Sequence, residues 1–170
     1  MSGGEPITLK EVQLRLRVPQ HVLIHLCEKG VIEPDFAETS GRGKRREFSE
    51  RNAFEFGVAL ALRRLELPVA TAALVVRLLR SFAKAVAKAS PGFALPDALV
   101  ERDVGLTVHL YDGDSLVLAA TGAGFKKPLL LSARLAEPAR VAKLDRLPQQ
   151  YEAHLDVNLT AVARRVTKRT

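Results

Sequence analysis

The chain has 170 residues, 47% of them hydrophobic, and a net charge of +7 with an isoelectric point near 9.9. That is enough apolar material for one ordinary domain or two small ones, which excludes a disordered tail. No apolar run approaches the ~20 residues needed to cross a bilayer, the amino terminus lacks a basic start and an apolar signal core, and the single cysteine, Cys27, excludes an internal disulfide. The expectation is a cytoplasmic protein with no membrane partner. Residues 1–90 carry 15 Lys and Arg against 10 Asp and Glu, so most of the basic surplus lies in the first half. A surplus of this kind favours a polyanion as partner.

In chain order, Thr8 reads as a helix N-cap with Glu11 three residues on, and Leu9, Val12 and Leu16 recur at helical spacing. Leu16-Arg17-Val18 leads to Pro19, which opens a second helix running to about residue 29. Its apolar face is Val22, Leu23 and Leu26, and Gly30 stops it. Val31 and Ile32 begin a short extended piece cut by Pro34. Residues 39–48 read as a glycine-rich basic hairpin anchored by Phe48.

Ser49, with Asn52 near it, caps a helix over about 50–65 that buries Phe54, Val58, Ala61, Leu62 and Leu65. Pro68 breaks it. A further helix over about 70–89 has Leu74, Val75, Leu78, Leu79, Phe82 and Val86 on one wide face and ends at Ser90-Pro91-Gly92.

The pattern then becomes alternating. Leu106, Val108 and Leu110 alternate with Thr107, His109 and Tyr111. Asp112-Gly113-Asp114 is a turn, and Leu116 and Leu118 open a returning strand. Residues 129–135 make a third strand and 154–159 a fourth, with a short basic helix over 160–169. Residues 136–152 carry no assignable pattern. The expected fold class is therefore α+β: four helices with a β-wing over residues 1–90, then a small antiparallel β-rich domain over 91–170 ending in a short helix.

A short helix pair followed by a flexible basic hairpin is an arrangement suited to DNA. The second helix fits the major groove, and cations on one edge meet phosphates. Arg42, Lys44, Arg45 and Arg46 supply those cations. At VPQHVLIHLCEKGVI (residues 18–32), at Gly41-Arg42-Gly43-Lys44-Arg45-Arg46-Glu47-Phe48-Ser49 and at the Leu67-Pro68 break, the chain resembles the MerR-type winged helix-turn-helix family over about residues 7–79. The resemblance implies a sequence-specific transcription regulator. It implies double-stranded DNA as ligand, a homodimer on a two-fold site, and RNA polymerase or another regulator as further partner.

Carried over, Arg17, Gln20, His21 and His25 join the wing cations as DNA contacts, with Gln20 and His21 reading bases. The family's recognition helix has an Arg and two Tyr where this chain has Ile24, His25 and Leu26; His25 replaces one Tyr as a phosphate donor. Two alternatives share these features: an architectural, excisionase-like protein, and a protein–protein adaptor with a degenerate helix-turn-helix. Nothing in the sequence offers a nucleophile, a metal cluster or a cofactor loop, so neither an enzyme nor a cofactor is expected. His21 and His25, four residues apart, could pair on a metal but lack a further ligand at useful spacing. Asp112 and Asp114 read as turn residues rather than as paired acid–base groups.

Overall fold

The computed structural model describes residues 5–36, 46–122 and 124–167. The fold is α+β, with six helices, a two-stranded sheet and a five-stranded antiparallel sheet among these residues. Strand β1 (Ile7–Thr8) leads straight into helix α1 (Leu9–Leu16), where the Thr8 hydroxyl accepts the Glu11 N–H at 3.2 Å. Arg17 ends α1 in the left-handed region, at φ 54°, and the chain turns through Pro19 into α2 (Gln20–Glu28). Leu23 and Leu26 of α2 are buried.

Val31 and Ile32 are buried too, but they do not start a strand. Their N–H groups both reach the Leu26 carbonyl, at 2.9 and 3.4 Å, so they close the end of α2 instead. The hairpin expected over 39–48 lies largely outside the described residues. Of that stretch, Glu47–Phe48 form strand β2, which pairs antiparallel with β1, Ile7 opposite Phe48. Phe48 is fully buried.

Helix α3 (Glu50–Arg64) opens with a complete capping box between Ser49 and Asn52. Every residue from Asn52 to Leu60 is buried. Leu65, expected in the core, is instead 48% exposed, because the helix ends there and the chain turns away through Glu66 at φ 60°. Helix α4 (Val69–Ala89) buries the apolar face read from the sequence and packs on the five-stranded sheet. A short helix α5 (Asp97–Glu101), absent from the sequence expectation, follows Pro96.

The sheet is built from β3 (Val104–Tyr111), β4 (Ser115–Gly122), β5 (Leu129–Arg134), β6 (Glu137–Leu144) and β7 (His154–Asn158), in the order β6-β5-β4-β3-β7. Asp112 and Gly113 both have positive φ in the β3–β4 turn, so Asp-Gly-Asp is a hairpin connection. Asp112 also fastens a distant segment, because its Oδ1 accepts the N–H groups of Glu152 and Ala153, each at 2.8 Å. The unassigned stretch 136–152 holds β6, an edge strand whose side chains are almost all exposed. β7 then crosses to the opposite edge and pairs with β3.

Leu106, Val108 and Leu110 of β3 join Leu116, Leu118 and Ala120 of β4 in one apolar cluster with the helices. Tyr111, Val117, Ala119 and Leu130 form a smaller cluster, joined by Leu144 and Leu147. Helix α6 (Leu159–Thr167) returns from the sheet to pack on α3. A nine-residue helix is marginal alone, but α6 buries Leu159, Val162, Ala163 and Val166, each of the larger ones contributing about 1.5–3 kcal/mol.

The α3–α6 packing turns on Gly57. A Cβ there would lie 2.6 Å from Val166 Cγ2 and 3.1 Å from Val162 Cγ1. Gly57→Ala is therefore expected to lower stability in urea unfolding: overpacking costs about 1–3 kcal/mol, more than the ~1 kcal/mol that alanine adds to helix propensity. Adding Val166→Ala to Gly57→Ala should relieve the clash, so the double variant should be more stable than the sum of the two separate losses. Simple additivity, or a still larger loss, would show that Gly57 and Val166 do not oppose each other.

Candidate nucleic-acid interface

Helix α2 is two-sided. Leu23 and Leu26 point into the core, while Gln20, His21 and His25 are exposed. His21 and His25 are one turn apart and share a face with Gln20 beside them. Arg17 is exposed in the turn before the helix, held there by its left-handed backbone. The structure thus brings four of the sequence-selected residues to one stretch of surface. Ile24 is only half-exposed. Arg46 is described and half-buried just ahead of β2, whereas Arg42, Lys44 and Arg45 lie outside the described residues.

Not every cation nearby is available to a ligand. Arg15 of α1 is fixed between Glu11 at 2.5 Å and Glu50 at 2.7 Å, with its side chain 11% exposed. The hydrogen bond to Glu50 foremost holds the Arg15 guanidinium in its charged form. This pair of bonds ties α1 to the first turn of α3.

The two flanks of residues 37–45 are held together by a polar clamp. Asp35 precedes the segment, and its carboxylate accepts bonds from the Ser49 hydroxyl and from Arg51. Asn52 is the hub. Its Oδ1 accepts the N–H groups of Asp35 at 2.8 Å and Ser49 at 3.2 Å, and its Nδ2 donates to the Glu33 carbonyl at 3.0 Å and to Glu55 at 2.9 Å. A fully buried amide here uses two lone pairs and two N–H bonds, which is its whole capacity.

Behind Asn52, the Glu55 carboxylate is 1% exposed and meets Arg80 of α4 through Nε and Nη2, both at 2.8 Å. Arg80 also donates to the Glu33 carbonyl at 2.9 Å. Burial pushes the Glu55 carboxyl above its ordinary value of 4.5, and Arg80 and Asn52 pull against that shift. Ser49 is the N-cap expected of it, and Asn52 completes the capping box. Glu55 and Arg80 carry no signal in the sequence, because their pairing depends on how α3 and α4 cross.

The structure also joins three polar residues on the five-stranded sheet, His109, His154 and Asp156, which nothing in the sequence links.

Removing Arg80 leaves a buried carboxylate without its counter-ion, a loss of about 3–5 kcal/mol. Glu55 already binds its proton more tightly folded than unfolded, and Arg80→Ala exaggerates this. Protonated Glu55 needs no cation, so the variant's deficit should be smallest below the ordinary carboxyl value and should grow as pH rises. Urea unfolding of both proteins at about pH 4 and about pH 7 tests it. An equal deficit at both pH values would exclude an ionised Glu55 as the cause.

Comparison of the sequence with models of known protein families and with curated proteins finds no match.

Proposed function

We propose that the chain is a double-stranded DNA-binding regulator built on a MerR-type winged helix-turn-helix. The observation that carries this reading is the two-sided α2, whose buried Leu23 and Leu26 hold Gln20, His21 and His25 outward. A groove-reading helix needs such an arrangement: a fixed axis with exposed polar groups near its amino-terminal end. Gln20 and His21 are at that end, and His25 one turn on serves as a phosphate donor.

The clamp at Asp35, Ser49 and Asn52 supports the second half of the reading. The chain leaves and returns at one place around residues 37–45, and that stretch carries Arg42, Lys44 and Arg45, with Arg46 immediately after it. β2 then pairs with β1 at the start of α1, so the clamped stem and the helix pair belong to one unit. In this reading the four cations grip phosphates while α2 reads the groove. A homodimer doubles the contacts on an inverted repeat, since one short helix specifies few base pairs.

Selection of duplexes from a random pool, followed by anisotropy titration at several salt concentrations, tests the proposal. An enriched inverted repeat is expected. Replacing Arg42, Lys44, Arg45 and Arg46 by Ala should weaken binding to all sequences and reduce the salt slope by up to about 0.9 for each phosphate no longer neutralised. Replacing Gln20 and His21 by Ala should instead relax sequence preference, by about 1–3 kcal/mol for each base no longer read. Binding that is salt-sensitive but without an enriched motif would replace the regulator by an architectural protein. Absence of binding at low salt would remove DNA as the ligand.

A further inference from the structure

Strand register places three metal-ligating side chains on one patch of the five-stranded sheet, far in sequence from the helix pair. His109 of β3 lies directly opposite Asp156 of β7, and Tyr111 lies opposite His154. Residues two apart on a strand share a face, so His154 and Asp156 stand beside each other and both meet His109. His109 Nδ1 is 2.5 Å from Asp156 Oδ1, His154 Nε2 is 2.6 Å from the same oxygen, and the two nitrogens are 3.2 Å apart.

We propose that His109, His154 and Asp156 form a binding site for a divalent transition-metal ion of the zinc class. Two imidazole nitrogens and a carboxylate oxygen already converge on one point. Bonds of about 2.0–2.2 Å to such an ion set neighbouring ligand atoms roughly 2.9–3.5 Å apart. The nitrogen pair has that spacing, and the two edges to the carboxylate need to open by roughly 0.3–1.0 Å, within reach of a rotation of the half-exposed Asp156 side chain. The donor set selects the ion. Imidazole suits zinc, copper, nickel and iron, whereas calcium and magnesium favour all-oxygen cages.

The rings are also held in place before any ion arrives. The His154 imidazole stacks on Tyr111, with centroids 4.6 Å apart and planes 6° from parallel, and Tyr151 packs against it at 5.1 Å. His109 and His154 are themselves stacked at 5.4 Å. The His109 side chain is 12% exposed and that of Asp156 is 52% exposed, so the patch is supported from below and open to solvent from above. Three protein ligands leave positions for water or a small ligand, as in sites that exchange. His109 further borders a cavity of about 250 Å³ lined by Thr107, Thr121, Leu130, Asp145 and Arg146, which provides room beside it.

The test uses the full chain, stripped with a chelator and dialysed. Titration with Co2+ should produce the visible absorption of a nitrogen–oxygen site, saturating at one equivalent and displaced by Zn2+. Isothermal titration with Zn2+ should show the same stoichiometry at micromolar concentration. His154→Ala and Asp156→Asn should each weaken binding at least about tenfold, and far-ultraviolet circular dichroism identifies any variant that has lost its fold. A His21→Ala/His25→Ala variant, on the other histidine pair, should bind unchanged. No binding at micromolar Zn2+, binding that survives both sheet variants, or binding abolished with the α2 histidines would overturn the assignment and leave the cluster as hydrogen-bonded side chains only. These readouts are independent of DNA, so they separate this site from the function proposed for α2.

Discussion

Helix α3 is surrounded. Its residues from Asn52 to Leu60 are all buried, so every direction around the helix must be filled by another element. This burial admits two polar side chains, Asn52 and Glu55, and the rest of the amino-terminal half is arranged to answer them. A buried carboxylate without a partner is far costlier than a buried leucine. Arg80 of α4 supplies the charge, and Asn52 directs its remaining bonds to Glu33, Asp35 and Ser49. The crossing of α3 and α4 is thereby tied to the path of the chain after α2. On other sides of the same helix, Phe56 meets Phe48 of β2 edge to face at 5.3 Å, and Gly57 admits Val162 and Val166 of α6. One helix thus fixes strand β2, the second long helix and the returning end of the chain.

The polar clamp also explains why a network of charges is placed where apolar packing would be simpler. Replacing buried ion pairs by well-packed apolar groups often gains stability. A hydrogen-bonded hub, however, has direction: Asn52 is satisfied only when Glu33, Asp35 and Ser49 all approach with defined geometry. Leu or Val at this position would tolerate several paths for the chain around residues 33–35. The clamp accepts one.

What the sequence made legible is what depends on local chemistry. The caps at Thr8 and Ser49, the breaks at Pro68 and Ser90, the apolar face of α4 and the Asp-Gly-Asp turn follow from residue type and spacing within a few positions. Strand β6 was illegible because an edge strand with exposed side chains has no apolar alternation to read. Leu65 lies outside the core although the helical periodicity includes it, because that periodicity continues past the residue at which the helix stops. Of the candidate site, the exposed side of α2 follows from its apolar side. Glu55–Arg80 and His109–Asp156 do not, because each pair is brought together by tertiary register across 25 and 47 positions of sequence.

Register is also what distinguishes the histidine cluster from a chance meeting of surface residues. A shift of β7 by a single residue against β3 would send His154 and Asp156 to the opposite face. That shift is resisted at both ends of the strand. At its start, the Asp112 carboxylate holds the N–H groups of Glu152 and Ala153, and Tyr151 packs on Tyr111 with centroids 4.8 Å apart. At its end, Asn158 Oδ1 accepts the Ala161 N–H at the start of α6, and the Thr160 hydroxyl accepts the buried Leu106 N–H at 2.7 Å. Leu159 and Val162 then enter the core around α3. The same anchors that close the core from the carboxy-terminal side therefore hold two imidazoles and a carboxylate in register on the outside of the sheet. The Asp-Gly-Asp turn takes part in this: its first carboxylate positions the segment that delivers His154.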